Sequence, residues 1–340
     1  MKLSSKATFS RKSIWALSLI LLCALGAGLV LTPPRDLAPS RHRFGDLDIV
    51  FIMGGAPGQP ISDTVAMGVR AAERDLGCKV EMRWTHWSEE RITGQLTNAI
   101  ESAPDGICLI GFPAQDALVP LIESAFEEGI AVTSLNVPFD GLESRYAAQG
   151  FGYAGQDLAG AGQRLGAAVR RYFDLAPGTR VALLGAFSTL ARSVRPLGCL
   201  EALEQSGLRV DRLDVDAARA QTPPLSAEQV LLAHLKENDD VRLCVYDGGP
   251  MLPIANALKM AGVSADRLPL AGFDVDLSSA MAAEMGYARL LLDQQPFLQG
   301  YLPVLQICLT RRFGVSGLHF DTGGSLYDGS TAASGPWGNP

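Results

Sequence analysis

Two apolar runs late in the chain end in side chains suited to reading hydroxyl groups. Residues 268–273 (LPLAGF) stop at Asp274, and residues 287–292 (YARLLL) stop at Asp293-Gln294-Gln295-Pro296. A carboxylate accepts hydrogen bonds, and a carboxamide both donates and accepts. As strands of an open α/β sheet, the two runs would deliver these groups at their carboxyl ends, where such sheets bind ligands. The chemistry this predicts is recognition of a small polyhydroxylated molecule. Asp274 also fits a helix N-cap, because a helical segment follows it. Gln294 and Gln295 are interchangeable by one residue at this stage.

Other chemistries find little support in the sequence. Residues 54–58 (GGAPG) lack the G-x-G-x-x-G spacing and the Lys-Ser/Thr of a phosphate-binding loop, and Pro57 removes an amide donor. His86 and His234 are isolated, with no Ser/His/Asp arrangement, so a hydrolase is not expected. No C-x-x-C or Cys/His ligand spacing occurs, so neither a metal nor a cofactor is expected. The formal charge is −7. Setting aside Lys2, Lys6, Arg11 and Lys12 leaves about −11 for the remainder. No basic stripe with interleaved aromatics remains, which argues against nucleic acid.

The elements that must position Asp274 and Gln294 alternate regularly. Strand-length apolar runs fall at 48–54, 79–84, 106–110, 131–135, 146–151, 180–187, 208–215, 241–246, 268–273 and 287–292. Helix-period segments lie between them, at 64–76, 89–102, 118–128, 158–172, 197–205, 227–236 and 251–261. Strands alternating with helices predict parallel sheets covered on both faces. Ten units exceed one compact sheet, so the expected fold is α/β with two doubly wound, Rossmann-like lobes. Interruptions at 136–141 (NVPFDG), 293–296 (DQQP) and 320–324 (FDTGG) are the expected crossings, together forming a three-segment hinge. This predicts a first lobe of 47–137 with 295–321, and a second of 138–294 with 322–330. Residues 33–46 read as a linker and 331–340 as a disordered tail. Asp157 is expected to cap the helix after it.

Residues 14–31 (IWALSLILLCALGAGLVL) carry no charge, follow a basic stretch and precede Pro33-Pro34. Residues 1–32 therefore read as a signal peptide or an uncleaved membrane anchor. Either one places the globular part in the periplasm or on the outer face of the inner membrane. Beyond Cys23, five cysteines remain, an odd number that argues against a full disulfide framework. Cys108 and Cys244 lie in apolar strand runs and read as small buried hydrophobes.

Several ordered motifs carry a family resemblance over roughly 47–328. They are DALVPLIESAFEEGIAVTSLN (116–136), FGYAGQDLAGAGQRLG (151–166), RSVRPLGCLEAL (192–203), AGFDVD and LLLDQQPFLQGYLPV. In this order they resemble the type I periplasmic sugar-binding proteins, the ribose- and galactose-binding-like receptors of ABC transporters. The resemblance implies two lobes closing over a monosaccharide-sized ligand. It implies ligand contacts at Asn136, Arg195, Asp247, Asp274 and Gln294, and within Gly54 to Asp63, where Gln59 and Asp63 are the polar candidates. The residues alone leave Arg195 open as a surface arginine and Asp247 as a turn residue before Gly248-Gly249-Pro250.

The chain departs from the family where stacking aromatics are common. Ile61-Ser62 follows Pro60, and no aromatic lies in 216–221. Trp87, Phe112 and Phe187, with Trp84 and Phe151, are the candidate stacking rings near strand ends. This leaves room for a smaller or less flat polyol, or a derivative. The acidic body, with Arg195 as the nearby cation among Asp63, Asp247 and Asp274, predicts a neutral ligand. The implied partners are an ABC permease and its ATPase. An anchored sugar-sensing module of a signalling receptor is the alternative, and an α/β enzyme a more remote one.

Overall fold

Each lobe is built around one six-stranded sheet, and the two sheets have the same winding. The protein is described, as a computed structural model, over residues 44–111, 115–139, 141–247 and 249–328. The expectations for 1–32, 33–43 and 331–340, and Phe112, lie outside these residues. In the first sheet β1 (Asp48–Met53), β2 (Lys79–Trp84), β3 (Gly106–Ile110), β4 (Ala131–Asn136), β5 (Tyr153–Gly155) and β11 (His319–Asp321) run in the order β11-β5-β4-β3-β1-β2. In the second, β6 (Arg180–Gly185), β7 (Arg209–Asp214), β8 (Val241–Tyr246), β9 (Leu270–Phe273), β10 (Ala288–Asp293) and β12 (Ser325–Asp328) run in the order β12-β10-β9-β8-β6-β7. All pairings are parallel except β10 with β12, which is antiparallel.

The helices are α1 (Pro60–Leu76), α2 (Glu89–Glu101), α3 (Gln115–Glu127), α4 (Leu142–Tyr146), α5 (Leu158–Tyr172), α6 (Leu190–Gln205), α7 (Val215–Arg219), α8 (Ala227–Glu237), α9 (Leu252–Met260), α10 (Leu277–Glu284) and α11 (Pro296–Phe313). Helices on both faces explain why the central strands are continuously apolar: β3 is buried along its whole length, as is β1 after Asp48. The outer strands β2 and β7 carry charges, which discourages edge-to-edge pairing. Local signals set the helix ends. Pro60 opens α1 and Gly77, at φ 78°, closes it. Asp157 caps α5 by accepting from the Gly160 amide at 3.1 Å.

The expected lobe boundaries need correction. Residues 138–155, expected in the second lobe, belong to the first, because β5 pairs with β4 and β11. The chain thus leaves the first sheet at 156–157, not at 136–141. It returns at 294–295 and crosses again at 322–324. The run 146–151, read as a strand, is instead the end of α4, a 3-10 turn (Ala147–Gln149) and a loop. Leu142 and Tyr146 lie one helical turn apart against the core, and Tyr146 stacks on Phe126 at 4.9 Å. Left-handed Gly150, at φ 93°, then ends the turn.

The first lobe begins at Phe44 rather than 47. Its ring is buried edge-on to Phe313, and its amide donates to the Leu76 carbonyl at 3.3 Å. Helix α6 starts at Leu190, with Pro196 inside it, rather than at 197. All five cysteines of the described residues are free and buried.

Backbone contact between helices seats the arginine expected at the site. Helices α5 and α6 meet at Gly162 and Gly198. A Cβ on Gly162 would lie 2.1 Å from the Arg195 carbonyl oxygen, and one on Gly198 2.5 Å from that of Ala159. Gly162→Ala therefore has to push α6, and Arg195 with it, away from α5. Overpacking of this kind costs about 1–3 kcal/mol. The variant is expected to melt below wild type, and an unchanged melting curve would mean that α6 is free to shift.

Candidate functional site

The carboxyl ends of β4, β6, β8 and β10 and the starts of α1, α5 and α6 enclose one cavity between the lobes. Its volume is about 170 Å³. Ile61, Asn136 and Val137 line it from the first lobe, and Leu158, Ala186, Arg192, Arg195 and Asp247 from the second. Gln156 and Gln294 line it from the crossings. A smaller annex of about 40 Å³ shares Ile61 and Gln294 and brings in Asp274, Asp276 and Asp293.

Arg195 is the most constrained of these side chains. Its Nε donates to Asp247 Oδ1 at 2.9 Å, its Nη2 donates to the same oxygen, and its Nη1 donates to Gln156 Oε1 at 2.7 Å. The guanidinium lies over the Phe273 ring, 4.2 Å from the centroid. Burial works against its charge. Asp247 and Asp274 outweigh burial and hold Arg195 above its ordinary pKa. Arg192, which the sequence reading missed, adds a second cation at the wall, where Asp216 holds it at 2.9 Å.

A chain of amides links the lobes beside this pair. Asn136 Nδ2 donates to Gln294 Oε1 at 3.1 Å and to Gln299 Oε1 at 3.0 Å. Gln294 Nε2 donates to Asp274 Oδ1 at 2.7 Å. Gln299 Nε2 donates to the Gln294 carbonyl at 2.8 Å, as does Thr322 Oγ1 at 2.7 Å. Asn136 and Asp274 end their strands in left-handed backbone, at φ 67° and 73°. Asn and Asp tolerate that region best among non-glycine residues. Burial pushes the Asp274 carboxyl above its usual range, against the opposing pull of Arg195. Asp274 does not cap α10: Asp276 does, accepting from the Ser279 amide at 2.8 Å.

Asn136, Arg195, Asp247, Asp274 and Gln294 are thus brought together. Gln59 and Asp63 are not. Both are exposed at the start of α1 and engaged locally, Gln59 with the Ala56 amide at 3.3 Å and Asp63 with the Gly58 amide at 3.0 Å. The expected rings also lie elsewhere. Phe151 is in the first-lobe core, Trp84 packs on that core, Phe187 sits beneath Arg212 at 4.6 Å, and Trp87 covers Gly54. Among the described residues no aromatic side chain lines the cavity. Gln156 was overshadowed by the capping signal of Asp157. Gln299 had a visible mark, an amide within the apolar stretch that opens α11, and it is fully buried.

Asp293 closes β10 next to the second crossing. It is buried, accepts from the Gln295 amide at 3.0 Å, and burial pushes its carboxyl up to about 6. The folded protein therefore holds a proton there that the unfolded chain, near its ordinary value of about 3.9, has released. The cost of ionising Asp293 is present in full above pH 6 and fades as pH falls towards about 4. Asp293→Asn keeps the acceptor and removes that cost. Urea unfolding is expected to show the variant more stable by on the order of 2 kcal/mol at pH 8, with the gain shrinking towards pH 4. Parallel pH profiles would mean that Asp293 is solvated.

Comparison with known proteins agrees with this geometry. Residues 49–308 match the model of a periplasmic binding protein domain. The chain is 27% identical over 257 residues to a xylose/arabinose-binding protein of Sulfolobus acidocaldarius, a match covering 71% of this chain and 61% of that protein. It thus spans less than two thirds of that relative's length. A carbohydrate transporter of Acidothermus cellulolyticus 11B, solved with myo-inositol, is 24% identical with a TM-score of 0.66, covering 85% of this chain and 96% of its own. A periplasmic solute-binding protein of Actinobacillus succinogenes 130z, solved with D-allose, is 17% identical with a TM-score of 0.70, covering 84% and 99%. With two sheets of matching order, three crossings and a cavity between the lobes, the chain belongs to the periplasmic binding protein family, in the type I fold shared with sugar-binding receptors of ABC transporters.

Proposed function

We propose that this protein captures a neutral monosaccharide or polyol between its lobes, outside the cytoplasm, and delivers it to an ABC importer. The observation that carries this reading is the charge balance of the cavity. Both arginines lining it already hold carboxylates, Arg195 with Asp247 and Arg192 with Asp216. Asp274 is met by an uncharged amide. An anionic ligand would face these aspartates without a dedicated cation, at about 1–4 kcal/mol per like charge. The remaining groups, the Asn136 and Gln294 amides and the spare donors of Arg195, suit hydroxyls. Aliphatic Ile61, Val137, Leu158 and Ala186 offer the apolar faces of a sugar ring a surface without stacking. The sugars named for the relatives support the same class.

Titration calorimetry against neutral pentoses, hexoses and inositols, and against sugar acids, at low and high salt, tests the reading. A neutral binder with little salt dependence is expected. Tight, salt-sensitive binding of a sugar acid alone would refute it. A ligand touching both lobes stabilises the closed arrangement, so small-angle scattering should show compaction with the bound sugar.

Asp274 and Asp276 provide a matched pair of tests two residues apart. Asp274→Ala removes a charged acceptor, worth about 1.5–3 kcal/mol, so affinity should fall roughly ten- to hundredfold. Asp276→Ala removes a helix cap and should lower stability by about 1 kcal/mol while affinity stays near wild type. Equal affinity losses in both variants would place the ligand differently.

An anchored sensing role would use the same cleft and is favoured only by the apolar run 14–31. No helix among the described residues is long and apolar enough to cross a membrane, and that run lies outside them. N-terminal sequencing of exported protein separates the two roles, since a start near 27–33 supports a free receptor.

A further inference from the structure

Gln156 sits at the first crossing, lines the cavity and is 1% exposed. Its side-chain oxygen accepts from Arg195 Nη1 at 2.7 Å. A guanidinium only donates, so the amide oxygen must face it and the amide nitrogen must take the other position. That nitrogen is buried and has no hydrogen-bond partner. The side chain has little freedom to swing away from this position. Its stem runs against Gly323 of the third crossing, where an added Cβ would lie 3.0 Å from Gln156 Cγ. Its backbone carbonyl is also engaged, 2.9 Å from the Tyr153 hydroxyl.

We propose that Gln156 is a specificity-determining residue whose side-chain amide donates to an oxygen of the bound sugar. The proposal rests on the reading of the cavity as a sugar site. A buried donor without a partner is costly, and native structures rarely keep one without a use. Closure on a sugar must bring an acceptor oxygen to this nitrogen for the donor to be satisfied. A sugar lacking that oxygen leaves the donor unpaired and is rejected, whereas a ligand that supplies it is held without competition. The residue therefore adds a requirement that Asn136, Arg195, Asp247 and Asp274 do not impose: an acceptor oxygen next to the Arg195 contact.

Gln156→Glu separates this role from that of a support for Arg195. The carboxylate still accepts from Arg195, and more strongly. It replaces the donor with an acceptor. D-Xylose, L-arabinose, D-allose and myo-inositol are titrated into wild type and variant from pH 8 down to pH 4.5. At pH 8 the variant is expected to bind every sugar that wild type binds at least tenfold more weakly. The guanidinium keeps that carboxylate ionised, so the loss should persist across this pH range. Equal affinities at pH 8 overturn the proposal and leave Gln156 a positioning residue.

The sugar-free NMR spectrum is a second reading that does not depend on the sugar. The two Gln156 side-chain N–H signals are assigned by their loss in Gln156→Glu; a proton without an acceptor resonates upfield of a hydrogen-bonded one, so hydrogen-bonded shifts for both protons overturn the proposal. If wild type binds none of the four sugars, the reading of the cavity is in question, and the amide shifts still decide the state of Gln156.

Discussion

A guanidinium largely enclosed at the wall of an inter-lobe cavity must keep its charge with little water to solvate it. Taking a cation out of water costs several kcal/mol unless close, hydrogen-bonded partners replace the lost hydration. Asp247 supplies the countercharge, Gln156 a neutral acceptor and Phe273 a polarisable face. The three come from the end of β8, the first crossing and β9. Arg195 can therefore be satisfied only when the second lobe and the first crossing are assembled together. Its position in turn depends on the close approach of α5 and α6 through Gly162 and Gly198, where no side chain could fit.

The second constraint lies in the crossings. A receptor that closes over its ligand needs connections that bend without leaving buried polar groups unpaired. Gln294, Gln299 and Thr322 meet this need by bonding to one another and to Asn136 across segments far apart in sequence. The first and third crossings are tied as well: the Asp157 amide donates to Asp321 Oδ1 at 3.1 Å, and Arg164 of α5 holds Asp321 and the Gly323 carbonyl, each at 2.9 Å. Asp293, buried and ionised only at a cost, sits beside the second crossing. Strain of this kind is tolerated where a site has to move or bind, because the surrounding packing fixes the geometry.

Much of this was legible in the chain. Strand and helix periodicity placed β2, β3, β8 and α5 to the residue, because these are long, strongly patterned segments. Asp274 and Gln294 stood out because each follows the end of an apolar run, whereas Asn136 and Asp247 came from the family resemblance. The misreadings have physical causes too. Residues 146–151 carry an apolar pattern of helical spacing in a stretch too short to tell a turn of helix from a strand. Pro138 and Gly141 look like a crossing but only lead into α4 ahead of β5, since nothing local distinguishes a three-residue strand that completes one sheet from one that begins another.

What the sequence determined by itself was the alternation of elements, the burial of Cys108 and Cys244 and the strand-end groups Asp274 and Gln294, able to read hydroxyls. These follow from side-chain polarity and period, which are local properties. What only the tertiary structure decided was which polar groups face one another. Gln59 and Asp63 had suitable chemistry but bond to amides at the start of their own helix. Gln156, Gln299 and Arg192 carried weak local signals yet came to the cavity or its support. Asp276, not Asp274, took the cap, which left Asp274 free for Gln294. Each outcome depends on distances between segments tens to hundreds of residues apart in sequence. Only packing of the two sheets sets those distances, because a hydrogen bond forms over about 3 Å and carries no mark in the residues between its partners.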